Sequence, residues 1–314
     1  MDIAVAHYPE GAGHATRMLA VARELESRGA SVSLAGGGPG KRFIERLGYE
    51  EYVPERVDFV DDFQGQGGSL WTVCTRSIPA SARRARDYVR WLRRVDPDAL
   101  VTDDMFAAMA APVAGVPLFV ATHNAPSLYR EFAERAGAAA LTLLQTALAR
   151  AFYFPAVWPP GDADPRGVER VPPIALDCPA TAVEADVVLV PSTYSAALDR
   201  AADRLDEQGY DVARVGGPDW PGVDSMLPTL RAADCVVCAG YSTVMEAAVA
   251  GTPCVVYPHT SEQRGVARLL ADAPGFTLAW SVEEISEAVA DPPAAMEREN
   301  GAPVVAERVL AALS

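Results

Sequence analysis

The stretch from Asp234 to Gln263, DCVVCAGYSTVMEAAVAGTPCVVYPHTSEQ, decides the fold class, because it contains a complete strand–helix–strand unit. Its apolar run from Cys235 to Ala239 predicts a buried parallel strand, whose two faces are both covered by helices. Gly240 then lets the backbone turn sharply, and Ser242 and Thr243 open a helix. The pattern therefore predicts an α/β protein.

The helix ends at Gly251 and Pro253, and the apolar run from Cys254 to Tyr257 predicts the next strand. In such units the turn lies in a crevice at the carboxyl end of a strand, where nucleotides bind. The free N–H groups and positive dipole end of the helix favour a diphosphate there, and Glu246 lies one turn further along. Thr243 and Glu246 also have the spacing of a capping box, which needs no ligand.

The longer pattern reads Ala-Gly-Tyr-Ser-Thr-x-x-Glu, Ala-Gly-Thr-Pro, Tyr-Pro-His and Glu-Gln in order, and it resembles the donor half of the GT-B glycosyltransferases. It is similar to the bacterial peptidoglycan N-acetylglucosaminyltransferases and, more loosely, to the UDP-glucuronosyltransferases. In those enzymes the Gly-x-Ser-Thr turn holds the diphosphate, the Glu binds the ribose and the acidic-Gln pair contacts the sugar. The resemblance implies a donor site made of Gly240, Ser242, Thr243, Glu246, Glu262 and Gln263.

Three further donor residues follow from the resemblance. Ser192, with Thr193, stands in the first turn of the second half, where the related enzymes carry Gly-Gly-Ser. Gly216 ends the next predicted strand, and Val223 lies in the loop WPGVDSM, whose backbone is expected to read a uracil edge. The Trp-Pro-Gly turn of that loop is equally compatible with plain packing.

The chain length of 314 residues allows two α/β domains of ordinary size. The resemblance implies two Rossmann-like domains that face a central cleft. Residues 1–172 are expected to bind the acceptor and residues 173–295 the nucleotide sugar, while residues 296–314 form a helix, from Met296 onward, that crosses back to the first domain. Prolines crowd between Pro155 and Pro179, so regular structure should lapse at this junction.

The formal net charge of −15 opposes nonspecific nucleic-acid binding, and no nucleic-acid partner is expected. Lys41 is the single lysine among 27 basic residues, a balance that resembles proteins of salt-loving archaea. Five cysteines without regular spacing argue against a disulfide framework. Cys235 and Cys238 point to opposite faces of one strand, so we expect them to be core residues rather than metal ligands.

The amino-terminal half repeats the strand, glycine loop and helix order, with a strand from Ile3 to His7. Its loop begins like the GxGxxG fingerprint of dinucleotide-binding proteins, but Thr16 replaces the third glycine. The second predicted strand ends in Gly36–Gly38, where that fingerprint needs an acidic residue. A nicotinamide or flavin cofactor is therefore not expected.

Gly13 and His14 match the Gly-His of the glycine-rich loop that faces the cleft in the peptidoglycan enzymes. Imidazole titrates near neutral pH, so His14 is the candidate general base for an acceptor hydroxyl; the alternative is a helix N-terminal histidine that holds the loop. Asp103 is expected to orient this base or to bind the acceptor. Gly13, His123 and Asn124 are expected near the acceptor.

Helix capping is the alternative role for Asp103, Asp104 and Asn124. Both roles are compatible with polar residues that follow two neighbouring predicted strands, because the carboxyl ends of parallel strands meet at one rim. The sequence leaves the choice open.

The segment from Ile78 to Val95 predicts a helix that carries a basic cluster from Arg83 to Arg94. Such an arginine face could meet an anionic membrane, although arginine stems often only cover a packed helix. Ala138 to Leu148 is a second apolar stretch, of the kind that docks on the membrane in the related enzymes. No transmembrane span or signal peptide is apparent, so we expect a cytoplasmic protein at the inner face of the membrane.

The sequence thus predicts a GT-B glycosyltransferase that inverts the anomeric carbon. Its donor is a UDP-linked or other nucleotide sugar carrying a hexose or an N-acetylhexosamine, and its acceptor is lipid-linked or another hydroxyl compound. Neither a tightly held metal nor a cofactor is expected. Two alternatives are a nucleotide-sugar epimerase and a non-catalytic nucleotide-sugar-binding subunit.

Overall fold

Two parallel β-sheets carry the fold in the computed structural model, which describes residues 1–55, 78–161, 164–191 and 196–314. The strands of the first sheet are β1 (Asp2–Ala6), β2 (Ser31–Ala35), β3 (Glu51–Tyr52), β4 (Ala99–Thr102), β5 (Leu118–Ala121), β6 (Ala151–Pro155) and β7 (Glu169–Val171). Their order across the sheet is β3-β2-β1-β4-β5-β6-β7. The direction of winding therefore reverses between β1 and β4, which is where open α/β sheets bind ligands.

The helices of this first lobe are α1 (Ala12–Ser27), α2 (Lys41–Arg46), α3 (Ile78–Val95), α4 (Met105–Ala114) and α5 (Phe132–Leu148). The central strands β4 and β5 are buried on both faces, as their unbroken apolar runs predict. The strand β7 is a departure from expectation, because it forms inside the proline-rich junction. It can form there because Glu169–Val171 itself contains no proline and lies at the edge of the sheet.

The second lobe has a five-stranded parallel sheet of β8 (Val187–Leu189), β9 (Val212–Arg214), β10 (Cys235–Cys238), β11 (Cys254–Val256) and β12 (Phe276–Leu278). Its order is β12-β11-β10-β8-β9, so winding reverses between β8 and β10. The remaining helices are α6 (Ala197–Glu207), α7 (Leu227–Ala232), α8 (Tyr241–Ala250), α9 (Ser261–Leu270), α10 (Val282–Ala290) and α11 (Gly301–Leu313). The β10–α8–β11 unit is the one that the opening stretch of sequence predicted.

The helix α8 ends as its sequence predicts. Gly251 at its carboxyl end has φ 76°, the left-handed conformation that glycine adopts without strain. Cys235 and Cys238 are both buried and belong to apolar clusters on opposite faces of the sheet, so the prediction that they are core residues is confirmed.

The final helix α11 begins at Gly301 and not at Met296, which corrects the predicted start. Asn300 caps it by accepting a hydrogen bond from the Ala302 N–H group. Pro303 then stands in the first turn, where its missing N–H group costs nothing. Val305 and its neighbours pack in the same apolar cluster as α1, so the helix returns to the first lobe.

The two lobes meet at the carboxyl ends of their strands. One apolar cluster continues from Phe154 and Trp158 of the first lobe to Tyr241 and Val244 of the second. Gly265 of α9 approaches the Leu128 carbonyl oxygen so closely that an added Cβ atom would lie 2.1 Å from it. Within the residues described, no helix is both long and apolar enough to cross a membrane.

Candidate active site

A histidine–aspartate pair lies at the winding reversal of the first sheet. His14 is in the first turn of α1, and Asp103 directly follows β4. The His14 Nδ1 atom is 2.8 Å from Asp103 Oδ2. Because an ionised carboxylate only accepts hydrogen bonds, Nδ1 carries the proton and Nε2 keeps its lone pair. This is the arrangement of an oriented general base.

Asp103 is held in place by several donors. Its Oδ1 atom accepts a hydrogen bond from the Tyr8 N–H group at 2.8 Å, and its Oδ2 atom accepts one from Arg17 Nη2 at 2.5 Å. Burial opposes ionisation of Asp103, but the charges of His14 and Arg17 outweigh it and hold the pKa of Asp103 well below its usual range. Asp103 is therefore a carboxylate at every pH near neutrality.

The neighbouring carboxylate performs the capping role that the sequence left open. Asp104 is the N-cap of α4, and its Oδ1 atom accepts from the Phe106 and Ala107 N–H groups at 2.7 and 3.3 Å. Because Asp104 satisfies the helix start, Asp103 remains available to His14. The two adjacent aspartates thus divide the two predicted roles.

Arg17 is a member of this site that the sequence analysis missed. It is only 3% exposed and lies one helical turn after His14. Its Nη1 atom is 3.3 Å from His123 Nδ1. Its Nη2 atom is 3.0 Å from His14 Nδ1, but that nitrogen carries the proton that it donates to Asp103, so this contact is not a hydrogen bond and Nη2 donates to Asp103 Oδ2 instead. The three-residue spacing from His14 places both side chains on one helix face, which was the available signal.

The start of helix α8 lies opposite this pair, in the second lobe. An added Cβ atom on Gly13 would be 2.0 Å from Ser242 Oγ, so Ser242 faces the gap between the lobes. Thr243 is more enclosed, with 8% of its surface exposed. The N-cap position of α8 is Gly240, and no side chain of the described residues caps this helix, so the predicted alternative of a Thr243–Glu246 capping box is wrong.

Gly240 itself does not have the sharp-turn conformation that the sequence predicted. Its φ of −116° and ψ of 157° are extended values that any residue can adopt. An added Cβ atom there would meet nothing within 4 Å. The first N–H groups of α8 have no acceptors within the helix, so this open space lies beside a helix start suited to anions.

Glu246 lies one turn into α8 and is half-buried. Among the residues that the structure describes, none forms a hydrogen bond or ion pair with its carboxylate. Burial alone raises the pKa of Glu246 to about 7. A carboxyl group that is desolvated without a partner is costly, and such groups concentrate at functional sites.

Glu262 joins the two lobes instead of standing free in the cleft. Its Oε1 atom is 2.8 Å from Nε2 of His123, which belongs to the first lobe. The ring of Tyr241 stacks on His123 with centroids 3.6 Å apart, and the Tyr241 hydroxyl donates to the Pro155 carbonyl oxygen at 2.6 Å. His123, predicted near the acceptor, therefore has partners for both of its ring nitrogens.

Gln263 forms the capping box that the sequence suggested for Thr243. Its Oε1 atom accepts from the His259 and Thr260 N–H groups at 2.8 and 3.1 Å, and the Thr260 hydroxyl accepts from the Gln263 N–H group at 3.2 Å. The side-chain oxygen of Gln263 is thus engaged in the start of α9.

The contacts of three other predicted site residues do not involve the His14–Asp103 pair. The Asn124 side-chain oxygen accepts from the Tyr129 hydroxyl at 3.1 Å. Gly216 has φ 77° and open space around its Cβ position. Val223 is buried beside Asp224, whose carboxylate accepts from Arg46 Nε of the first lobe at 2.9 Å. Ser192 lies outside the described residues.

The basic cluster predicted on the surface of α3 is only partly exposed, and the prediction that Arg84 belongs to that surface is wrong. Arg84 is fully buried, because the buried carboxylate of Asp104 needs a cation, and Nη2 donates to Asp104 Oδ2 at 2.6 Å. Arg90 remains 69% exposed. On α5, Leu143 and Phe132 are 69% and 78% exposed, so an apolar surface does face solvent in this lobe.

No protein-family model matches the chain. Over 118 residues it is 30% identical to a protein of Methanosarcina acetivorans described as an uncharacterised glycosyltransferase. That match covers 35% of this chain and 30% of the relative, so it spans less than a third of the relative's length.

Solved glycosyltransferase structures resemble the whole chain. The Streptomyces sp. SF2575 glycosyltransferase SsfS6, complexed with thymidine diphosphate, has a TM-score of 0.67 at 15% identity, over 100% of this chain and 95% of that chain. Acinetobacter baumannii MurG has a TM-score of 0.58 at 17% identity, over 99% of both chains. The spinosyn rhamnosyltransferase SpnG, complexed with spinosyn aglycone, has a TM-score of 0.62 at 17% identity, over 100% of this chain and 96% of that chain.

These likenesses confirm the predicted fold class. The chain has the α/β fold of the GT-B glycosyltransferases, with two parallel-sheet lobes that face one another. At this level of identity the fold alone is shared.

Proposed function

We propose that the protein is an inverting glycosyltransferase that transfers a hexose or an N-acetylhexosamine from a nucleotide sugar, UDP-linked, to a hydroxyl acceptor. One observation carries the proposal: the uncapped start of α8 lies against Gly13, next to the His14–Asp103 pair. An anion-binding helix start and an oriented base therefore face the same gap. The glycosyltransferase match in Methanosarcina and the thymidine diphosphate complex of SsfS6 support the same chemistry.

The donor would bind to the second lobe. The N–H groups at the start of α8, with the Ser242 hydroxyl, would receive the diphosphate, and the positive dipole end would stabilise it as it leaves. Glu246 has no partner in the described structure, and two ribose hydroxyls would supply the donors that its carboxylate lacks. Glu262 and Gln263, at the start of α9, are proposed to lie near the sugar.

The acceptor would be activated from the first lobe. Nε2 of His14 would take the proton of the acceptor hydroxyl, and the freed oxygen would form the new bond to the anomeric carbon. The bond from that carbon to the diphosphate oxygen would break at the opposite face, so the nucleoside diphosphate leaves with the electron pair and the configuration inverts. Asp103 would stabilise the imidazolium that forms.

A thermal-shift screen with UDP, TDP, GDP and their sugars tests this function, because a ligand of the folded state raises the melting temperature. We expect a UDP-sugar to raise it. Glu246→Ala should abolish the shift, and Glu283→Ala, a solvent-exposed glutamate of the same lobe, should keep it. His14→Ala should keep the shift and lose transfer.

Three outcomes would contradict the proposal. No shift with any nucleotide would remove the donor site. Turnover of the nucleotide sugar without an acceptor would indicate an epimerase, and a shift without turnover that is insensitive to His14→Ala would indicate a non-catalytic binding subunit.

We further propose that the acceptor is lipid-linked and that the first lobe meets an anionic membrane. The exposed Arg90 of α3 and the exposed Leu143 of α5 support this, because basic and apolar side chains together bind anionic bilayers. Vesicles with anionic lipid should cosediment with the protein, and Leu143→Asp should weaken this. Equal binding to neutral vesicles, or none to either, would contradict it.

A further inference from the structure

The guanidinium group of Arg17 lies at the middle of a chain of polar contacts that spans both lobes. The chain runs from Glu262 of the second lobe through His123 and Arg17 to Asp103 and His14 of the first. Each of the four contacts joins residues at least 86 positions apart, and the Glu262–His123 contact is the one that connects the two lobes. The chain therefore exists only when the two lobes are together.

Hydrogen-bond chemistry fixes the protons along this chain. A guanidinium group has donors only, so His123 Nδ1, 3.3 Å from Arg17 Nη1, must be an acceptor. His123 Nε2 then carries the ring proton and donates it to Glu262 Oε1 at 2.8 Å. Arg17 thus selects one tautomer of His123, the one that can hold Glu262.

The charges around His123 agree with a neutral ring. Burial lowers the pKa of His123, and the positive charge of Arg17 and the nearby His14 lower it further, whereas Glu262 acts in the opposite direction. Tyr241 covers one face of the ring and contributes no charge at neutral pH. A neutral His123 can accept from Arg17 and donate to Glu262 at once.

Arg17 is not placed where its own hydrogen bonding is best satisfied. Its Nε atom is buried and has no hydrogen-bond partner within the described part of the chain. An unsatisfied buried donor is destabilising. The contacts of the two terminal nitrogens, to His123 and to Asp103, therefore determine where the guanidinium lies.

We propose that Arg17 is a positioning residue that couples closure of the two lobes to the orientation of the His14–Asp103 pair. When Glu262 reaches His123, Arg17 is fixed between His123 and Asp103, and Asp103 is fixed on His14. When the lobes separate, His123 loses its hydrogen bond to Glu262. The His123 ring that contacts Arg17 Nη1 is then no longer held in place. The identification of His14 as the base rests on the proposed function, but the coupling itself does not.

Histidine NMR tests the coupling without any sugar transfer. The chain has four histidines, so the ring signals of labelled protein are few, and His14→Ala and His123→Gln assign two of them. In Arg17→Gln we expect the His123 titration to move to higher pH and its two ring nitrogens to share the proton. Arg28→Gln, an exposed arginine that follows the same helix, should leave both unchanged.

A double-variant cycle then measures whether a change at Glu262 in the second lobe reaches His14 in the first lobe through Arg17. Glu262→Gln should shift the His14 ring signals in the wild-type background and should shift them much less when Arg17 is Gln. Arg17→Lys keeps a charge and a donor and should restore part of the effect. Equal His14 shifts in the two backgrounds, or an Arg17→Gln variant that only melts earlier with unchanged histidine titrations, would overturn the proposal.

Activity gives a second readout if the proposed transfer is found. Arg17→Gln should lower kcat about 100-fold with the KM for the nucleotide sugar unchanged, because a misplaced base slows the chemical step and not donor binding. A change confined to KM would overturn the assignment to the base. Failure to detect any transfer would count against the proposed function and leave the NMR result standing.

Discussion

Ser242 lies so close to Gly13 that a Cβ atom on the glycine would be 2.0 Å from the Ser242 Oγ atom and 2.4 Å from its Cβ atom. The glycine belongs to the first turn of α1 and the serine to the first turn of α8. Two helix starts from different lobes therefore touch through a position that only glycine can occupy. The close approach brings the proposed diphosphate site next to His14.

Gly13→Ala should separate the lobes or strain the contact, lowering the free energy of unfolding by about 1–3 kcal/mol. This loss would come from the contact with Ser242 and not from the backbone, since Gly13 does not have a positive φ and alanine is the better helix former. Ser242→Gly removes the clashing atoms, so the double variant should be more stable than the two single effects predict. Denaturant unfolding measures the cycle, and strict additivity would show that the contact does not hold the lobes.

Glu246→Gln should stabilise the protein at pH 8 and have no effect near pH 4. Burial raises the pKa of Glu246 from 4.5 to about 7, so the folded protein holds this proton where the unfolded chain releases it. Wild-type stability therefore falls as the pH rises from about 4.5 through about 7. The gain at pH 8 should be about 2 kcal/mol, after allowance for water around a half-buried group.

Thermal unfolding across that pH range checks the Glu246 prediction, with Glu283→Gln as the exposed control. The same Gln variant should bind the nucleotide less well, because a carboxylate accepts from ribose hydroxyls more strongly than an amide. A Glu246→Gln variant that is no more stable than wild type at pH 8 would show that the carboxylate has a partner in solution.

Tyr241→Phe should cost about 1 kcal/mol, because it removes the hydrogen bond to Pro155 and keeps the ring on His123. Tyr241→Ala should cost about 3–5 kcal/mol, since it also leaves a cavity between the lobes. Urea unfolding compares the two with Tyr210→Phe, a tyrosine packed on the core of the second lobe. Equal costs for the Phe and Ala variants would mean that the ring does not join the lobes.

Arg84→Met should destabilise the protein by about 3–5 kcal/mol, because it leaves the fully buried Asp104 carboxylate without its cation. The Tyr88 hydroxyl, which also donates to Asp104, cannot replace the charge. Arg90→Ala, on the exposed side of the same helix, should change stability by less than about 0.5 kcal/mol. Similar losses for the two variants in chemical denaturation would contradict the burial of Arg84.

The strands and helices of the second lobe were largely predictable from sequence. The run of apolar residues in β10, the helix start after Gly240 and the Gly251 stop are local signals, and each lies within a residue or so of its predicted place. The start of α11 was predicted too early, because Met296 and the three charged residues after it are good helix formers, whereas the helix begins only after the Asn300 cap. Local sequence preferences thus predicted which helices and strands form more accurately than where they begin and end.

The sequence predicted several residues of the candidate site, such as His14 and Asp103, but it predicted neither Arg17 nor the contacts among them. Thr243 and Thr260 are each followed three residues later by an acidic or amide side chain, yet only Thr260 forms a capping box. The difference is that Thr260 precedes its helix, whereas Thr243 is already inside one. Whether a threonine with this spacing caps a helix therefore depends on whether the preceding strand and turn place it before the helix or within it.

Sequence alone determined the parallel α/β units and the chemical types of the residues at the ends of their strands, because these depend on side-chain periodicity and short-range backbone preferences. Only the tertiary structure decided that Glu262 pairs with His123, 139 residues away, that Arg17 is buried between two histidines, and that Ser242 touches Gly13. Such pairings follow from how two sheets pack at their carboxyl ends. That packing is set by the whole apolar interface and not by any one segment.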